Sequence, residues 1–206
     1  MMYFESYIQT FKRGIDLAVF EISGEEVSGN NFIESLRYKI KEVSLKKGTL
    51  FFLGNGASAS FSSHMALDFL KNAKVKTRTI PDVTHLSAYS NDFCYEDSFL
   101  RFLEDESSCS ADLVITISSS GNSPNVLKAI DYCKKNGILT LGLSGLKSDN
   151  SSKKLSDYSV YCPMKTYGMV ECMHQLFLHL ILDFYMEVME WQRDDSQNMN
   201  SNNFKL

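Results

Sequence analysis

The chain has 206 residues and a formal net charge of −4, with 44% hydrophobic and 22% charged side chains. That length suits one well-buried domain, and the charge gives no reason to expect nucleic acid or an acidic membrane surface as the main partner. Five scattered cysteines (Cys94, Cys109, Cys133, Cys162, Cys172) show no Cys-x-x-Cys spacing, which argues for reduced thiols and against a disulfide framework or a thiolate zinc site.

Residues 2–22 place Phe4, Ile8, Phe11, Ile15 and Phe20 at roughly helical spacing, which predicts an amphipathic helix. The Ser-Gly-Glu-Glu-Val-Ser-Gly-Asn-Asn stretch at 23–31 reads as a loop. Phe32, Leu36, Ile40 and Val43 then give a second helix ending near Gly48. Two helices in residues 1–47 thus precede an α/β core in 48–191. Their apolar stripes need the sheet or another subunit as partner. The start of the chain carries no signal pattern and no apolar run approaches membrane-spanning length, so the expected location is cytoplasmic.

Thr49 to Leu53 reads as a buried strand running directly into Gly54-Asn55-Gly56-Ala57-Ser58. The glycines permit positive φ and close approach of a ligand to backbone. The following helix, from about Ser58 to Asn72, carries His64, Met65, Leu67, Asp68 and Phe69. Gly54-x-Gly56 lacks the third glycine of the dinucleotide fingerprint, so no nucleotide cofactor is expected. Val75 to Ile80 predicts another strand, ended by Pro81. Asp82 to Glu96, with His85, Asn91 and Asp92, reads as a long loop with a short helix. Phe99, Phe102 and Leu103 predict a further helix.

Leu113 to Ile117 is a short apolar, partly β-branched run that suits a strand buried on both faces. Ser118, Ser119, Ser120 and Gly121 follow at once, then Ser123 as an N-cap and Pro124 at the first helical position. A buried strand ending in a hydroxyl-rich turn, with a helix N-terminus beyond it, offers N–H groups and a dipole that favour an anion, most often phosphate.

Val126, Leu127 and Ile130 continue as a helix to Gly137, and Ile138 to Leu143 is another strand. Residues 157–162 alternate and fit an edge strand ended by Pro163. Met169 to Trp191 reads as a long apolar helix, and the Asp/Ser/Asn-rich residues 192–206 as a disordered tail. Strands alternating with helices predict an α/β fold: a doubly wound parallel sheet flanked by helices, with an N-terminal helical extension.

Gly54-Asn55-Gly56-x-Ser58, the His64-x-x-x-Asp68 helix, Asp82-Val83-Thr84-His85, Asn91-Asp92-Phe93 and Ser120-Gly121-Asn122-Ser123-Pro124-Asn125 together resemble the sugar isomerase (SIS) domain. Within it they are similar to the sedoheptulose-7-phosphate (phosphoheptose) isomerases, over the chain from the N-terminal helices to about residue 190. The resemblance implies a homotetramer of doubly wound subunits, with a phosphosugar site at the subunit boundary that often holds zinc. It also implies interconversion of sedoheptulose 7-phosphate and a heptose 7-phosphate. By position, Ser118, Ser119, Ser120 and Ser123 would hold the phosphate. Asn55, Gly56, Ala57 and Ser58 would line the sugar, with Asn91 and Asp92 nearby. The family's catalytic glutamate falls on Asp68, its metal-binding histidine on His64, its last-helix glutamine on Glu171 and its catalytic histidine on His179.

The residue types suit that chemistry. Aldose–ketose isomerisation needs a base to move a proton between neighbouring carbons through an enediol, and a group to polarise the carbonyl oxygen. Asp68 and His179 are suited to it, and a metal could serve as electrophile. His64 and Asp68, at i and i+4, share one helix face, and two imidazoles with two carboxylates (His64, His179, Asp68, Glu171) suit zinc, with iron or manganese as alternatives. Glu171 and His179 lie eight residues apart, about 12 Å along a helix, so the two are expected to serve different subunits' sites. His174 is the rival ligand and reads as structural; His85 reads as a loop hydrogen-bonder.

The chain departs from the family at four places. Asp68 is one methylene shorter than the glutamate, a retraction of about 1 Å that can cost on the order of a hundredfold in rate unless the backbone compensates. Glu171 adds a negative charge beside Asp68, which a divalent cation would offset. Gly168 stands for the usual aspartate and Asn72 for the usual arginine. Beside a close paralogue that isomerises another phosphosugar, two other readings are weighed: a non-catalytic SIS module (a phosphosugar sensor or a protein like those that associate with the replication initiator), and an unrelated nucleotide-binding α/β protein. His179 favours the enzyme over the first, and the incomplete glycine fingerprint disfavours the second.

Overall fold

A computed structural model describes residues 2–80, 82–106 and 108–189. Its centre is a seven-stranded sheet. The strands are β1 (Val19–Ile22), β2 (Glu25–Val27), β3 (Leu50–Gly54), β4 (Thr77–Thr79), β5 (Leu113–Ser118), β6 (Leu139–Gly145) and β7 (Tyr158–Cys162), in the spatial order β2-β1-β7-β6-β5-β3-β4. From β4 to β7 all neighbours run parallel; β1 is antiparallel to both β2 and β7.

Side chains alternate across the parallel strands, so each strand serves two cores. Leu50, Phe52, Leu113, Ile115 and Ile117 face one side. There they meet α2 (Gly29–Leu45) through Phe32, Leu36 and Ile40, α3 (Ala57–Lys71) through Met65 and Phe69, and α8 (Tyr167–Met186) through Val170, Met173 and Phe177. Phe51, Leu53 and Val114 face the other side. Their partners are Phe99, Phe102 and Leu103 of α5 (Ser98–Asp105) and Val126, Ala129 and Ile130 of α6 (Pro124–Lys135). The doubly wound α/β sheet flanked by helices is therefore present as the sequence predicts.

The strand order also fixes where a ligand crevice opens. From β3 the chain moves outward to β4, then returns to place β5 on the other side of β3. The helices that follow β3 and β5 leave on opposite faces of the sheet. Such a reversal holds the loops apart at the carboxyl ends of the two strands and is the usual binding crevice of an open α/β sheet.

Three expectations need correction. The predicted single helix over 2–22 is α1 (Tyr3–Asp16) followed by strand β1, and the predicted loop contains β2. Ser23 and Gly24 both adopt positive φ, 53° and 81°, giving the two-residue turn that joins twisted antiparallel strands. Phe20 therefore continues the helical spacing only in sequence; in the fold it packs edge-on against Phe177. The N-terminal extension is thus two helices with a hairpin between them. Next, β7 is an internal rather than an edge strand, fully buried between β6 and β1, because the antiparallel β1 covers its outer side; Pro163 does follow its last residue. Finally, α8 ends at Met186, where Glu187 turns to φ 62°; Trp191 and the predicted tail lie outside the described residues. The polar segment before α5 holds the ten-residue α4 (Val83–Asp92) and a 3-10 turn at Tyr95–Asp97, and α7 (Ser151–Leu155) lies between β6 and β7.

Candidate active site

The serine loop leaves β5 at the crevice. Ser118 and Ser119 are 5% and 6% exposed, and Gly121 turns the chain at φ 62° while its N–H donates to the Ser118 carbonyl at 2.9 Å. Ser123 occupies the N-cap of α6, yet its hydroxyl caps no backbone N–H; it lies 3.3 Å from that of Ser118. Ser120 Oγ accepts from the Asn122 N–H at 3.2 Å. Two hydroxyls therefore face one another beside a helix N-terminus, an arrangement that can turn its donors toward an anion.

A second segment braces this loop from behind. Gly145 N–H donates to the Ser119 carbonyl at 3.1 Å, Ser152 N–H to the Gly121 carbonyl at 2.8 Å, and Ser151 N–H to Asn122 Oδ1 at 3.0 Å. Asn150, 1% exposed, caps α7 with its own Oδ1 and donates to Ser144 Oγ. Gly121 rests on it so closely that an added Cβ would fall 2.1 Å from Asn150 Oδ1. Asn150 carries no motif signal and was missed in the sequence.

Across the crevice, the glycine turn after β3 opens α3, with Gly56 at its N-cap in a conformation (φ 58°, ψ −125°) open to glycine. Asn55 and Asn125 exchange reciprocal amide bonds of 2.9 Å, joining the two loops at the point where the strand order reverses. Tyr95 O–H donates to Asn55 Oδ1 at 2.7 Å. Gly56 and Ala57 are exposed at the helix start, whereas Ser58 is buried and packs under Gly54. Asn91 and Asp92, at the end of α4, are exposed and bonded to each other at 3.0 Å.

Two turns along α3 lies the titratable group. His64 Nε2 is 3.3 Å from Asp68 Oδ2, as their i, i+4 spacing predicts. From α8 the ring of His179 comes within 5.2 Å of the His64 ring, centre to centre. One ligand atom from each of His64, Asp68 and His179 lies within 4.8 Å of the others. Among the described residues Glu171 is outside this grouping. Two imidazoles and one carboxylate form a donor set whose chemistry fits zinc or a similar divalent ion.

Gln175, one turn before His179, was also missed, although its i−4 spacing was legible. Its amide nitrogen lies 2.7 Å from His179 Nε2 and 3.3 Å from Met65 Sδ, so it fixes the ring against α3. His174 takes no part in the group. It is completely buried, only the Ser144 backbone approaches its ring without forming a well-made hydrogen bond, and burial drives its pKa down to about 4. His85 pairs with Asp82, the N-cap of α4, at 2.9 Å.

A cleft of about 280 Å³ opens between α3 and α4, walled by Phe52, Leu53, Ile80 and Phe99 with Ser60, Ser63 and Asp82 at its polar side. Its lining does not include the serine loop or the His64–Asp68–His179 group. No helix among the described residues is long and apolar enough to cross a membrane.

Comparison with known proteins identifies the family and the fold. Residues 25–145 match the family model described as the SIS domain. A phosphoheptose isomerase of Aneurinibacillus thermoaerophilus is 31% identical over 185 residues, 87% of this chain and 90% of that protein. One from Fusobacterium nucleatum is 31% identical over 170 residues, 80% of this chain and 87% of that protein. The solved structure of a phosphoheptose isomerase from Neisseria gonorrhoeae shares the fold, with a TM-score of 0.74, 19% identity, and coverage of 89% of this chain and 95% of that one. The chain belongs to the SIS domain family and, within it, to the phosphoheptose isomerases.

Proposed function

We propose that the protein is an aldose–ketose isomerase that converts sedoheptulose 7-phosphate to D-glycero-D-manno-heptose 7-phosphate in the cytoplasm. The observation that carries this reading is the layout of α3. Its N-terminus is tied through Asn55 and Asn125 to the serine loop, and two turns further on it presents His64 and Asp68 to His179. An anion cradle tied to the start of α3 and an acid–base pair two turns along it are thus held in one rigid frame, as a sugar phosphate with a distant reacting carbonyl requires.

In this reading Ser118, Ser119, Ser120 and Ser123 hold the phosphate, and Asn55, Gly56, Ala57 and Ser58 line the sugar with Asn91 and Asp92. The Asp68 carboxylate removes a proton from carbon 1 of the ketose while the oxygen on carbon 2 gains one, giving the enediol. The proton then returns to carbon 2 as the hydroxyl on carbon 1 loses its own and becomes the aldehyde oxygen. His179, steadied by Gln175, relays the proton between the two oxygens. His64, Asp68 and His179 would alternatively hold a divalent ion such as zinc, which would polarise those oxygens in place of the His179 relay. Glu171, eight residues from His179 on α8, is assigned to the site of a neighbouring copy in a homotetramer.

The test is incubation with sedoheptulose 7-phosphate and zinc. Formation of the aldose, abolished in a folded His179→Gln variant, is expected. Retained phosphosugar binding without any turnover would make the protein a sensor instead.

A further inference from the structure

We propose that Tyr95 is a positioning residue of the sugar side of the site, acting through Asn55; this rests on the phosphosugar reading of the crevice. Its basis is a hydrogen-bond arrangement with a single consistent orientation. The backbone N–H of Val126 donates to Asn125 Oδ1 at 3.0 Å, and a backbone donor cannot be exchanged for an acceptor. Asn125 must therefore turn its Nδ2 to Asn55 Oδ1, and Asn55 its Nδ2 to Asn125 Oδ1, both at 2.9 Å. Tyr95 O–H supplies a second bond to Asn55 Oδ1 at 2.7 Å. That oxygen then has both lone pairs engaged, while Nδ2 keeps one unused N–H.

The result is an amide that can act on a ligand only as a donor. The hydroxyl of Tyr95 has spent its proton on Asn55, and the ring is 44% exposed beside the glycine turn. Its own segment is anchored: Ser98 Oγ donates to the Tyr95 carbonyl at 2.8 Å, and Lys128 of α6 holds Asp97 at 2.5 Å. The 3-10 turn thus brings the phenol to the crevice from a third element, apart from both loops. Asn55 without Tyr95 keeps its place but loses the bond that presses its free N–H toward a sugar hydroxyl.

The test is a double-mutant cycle with Tyr95→Phe and Asn55→Ala, reading calorimetric binding of sedoheptulose 7-phosphate and of inorganic phosphate alongside turnover. Tyr95→Phe is expected to weaken phosphosugar binding about fivefold, the loss of one hydrogen bond, and to leave inorganic phosphate binding and kcat within twofold. In the Asn55→Ala background, removing the hydroxyl should change nothing further. Unchanged phosphosugar binding in Tyr95→Phe, an equal loss of inorganic phosphate binding, or a full additional loss in the Asn55→Ala background would each overturn the proposal. Binding with no turnover in the wild type would overturn the isomerase reading while leaving the cycle readable; wild type that binds neither ligand overturns both.

Discussion

Asn55 and Asn125 form a closed amide pair that bridges the start of two helices lying on opposite faces of the sheet. Asn125 is fully buried, so the pair works in a low-dielectric setting where a missing partner is costly. Asn125→Asp keeps the shape and the oxygen that accepts from Val126, but sets a second oxygen against Asn55 Oδ1. We expect a loss of about 1–3 kcal/mol in stability, read by urea unfolding, together with weaker phosphosugar binding. Unchanged unfolding would show that the two loops are positioned independently.

Gly121→Ala should be more damaging than an ordinary loop substitution. The new methyl would fall on Asn150, and the left-handed φ of 62° adds strain that only glycine avoids. Inorganic phosphate affinity is expected to drop about tenfold or more, since a displaced Asn150 releases Ser144 and the N-terminus of α7 together. Adding Asn150→Gly should return part of the affinity by removing the collision. Calorimetry on the single and double variants checks both statements.

The grouping of His64, Asp68 and His179 makes a prediction about metal binding that needs no activity assay. Asp68→Asn should reduce zinc affinity, measured against a chromogenic chelator, by at least the roughly 10–100-fold typical of losing even an outer partner. Glu171→Gln should leave the affinity of isolated monomer nearly unchanged, because Glu171 is not among the three. Equal losses in both variants would place Glu171 in the same coordination set.

His174 sets a pH dependence of stability. Burial lowers its folded pKa to about 4 against an unfolded value near 6.5, so the unfolded chain takes up a proton that the native chain refuses. Its contribution is complete above about pH 6.5 and is lost as pH falls from there toward 4, by up to about 3 kcal/mol. Unfolding free energies at pH 5 and 7.5 should show this slope. His174→Leu, which removes a buried imidazole met only weakly by the Ser144 backbone, should flatten it and be no less stable at pH 7.

The sheet was legible because its strands are apolar runs closed by glycine, serine or proline; Leu113 to Ile117 is buried on both faces, and no other local structure suits it. The serine loop and the His64–Asp68 pair were legible too, as fixed spacings next to predicted boundaries. The β1–β2 hairpin was not, since Phe20 lies in phase with the helix before it and only Ser23-Gly24 marks the turn. Asn150 and Tyr95 escaped because their roles depend on tertiary neighbours 29 and 40 residues away, Gly121 and Asn55, and no periodicity encodes such pairings. Glu171 matched a motif position, yet the helix rise carries it away from His179 within one chain.

Both rims of the sheet, β2 and β4, are only three residues long, and β2 presents Glu25 and Glu26 to solvent. An incoming strand would find few free backbone groups on either side and repulsion on one. Growth into ribbons by strand addition is thereby discouraged.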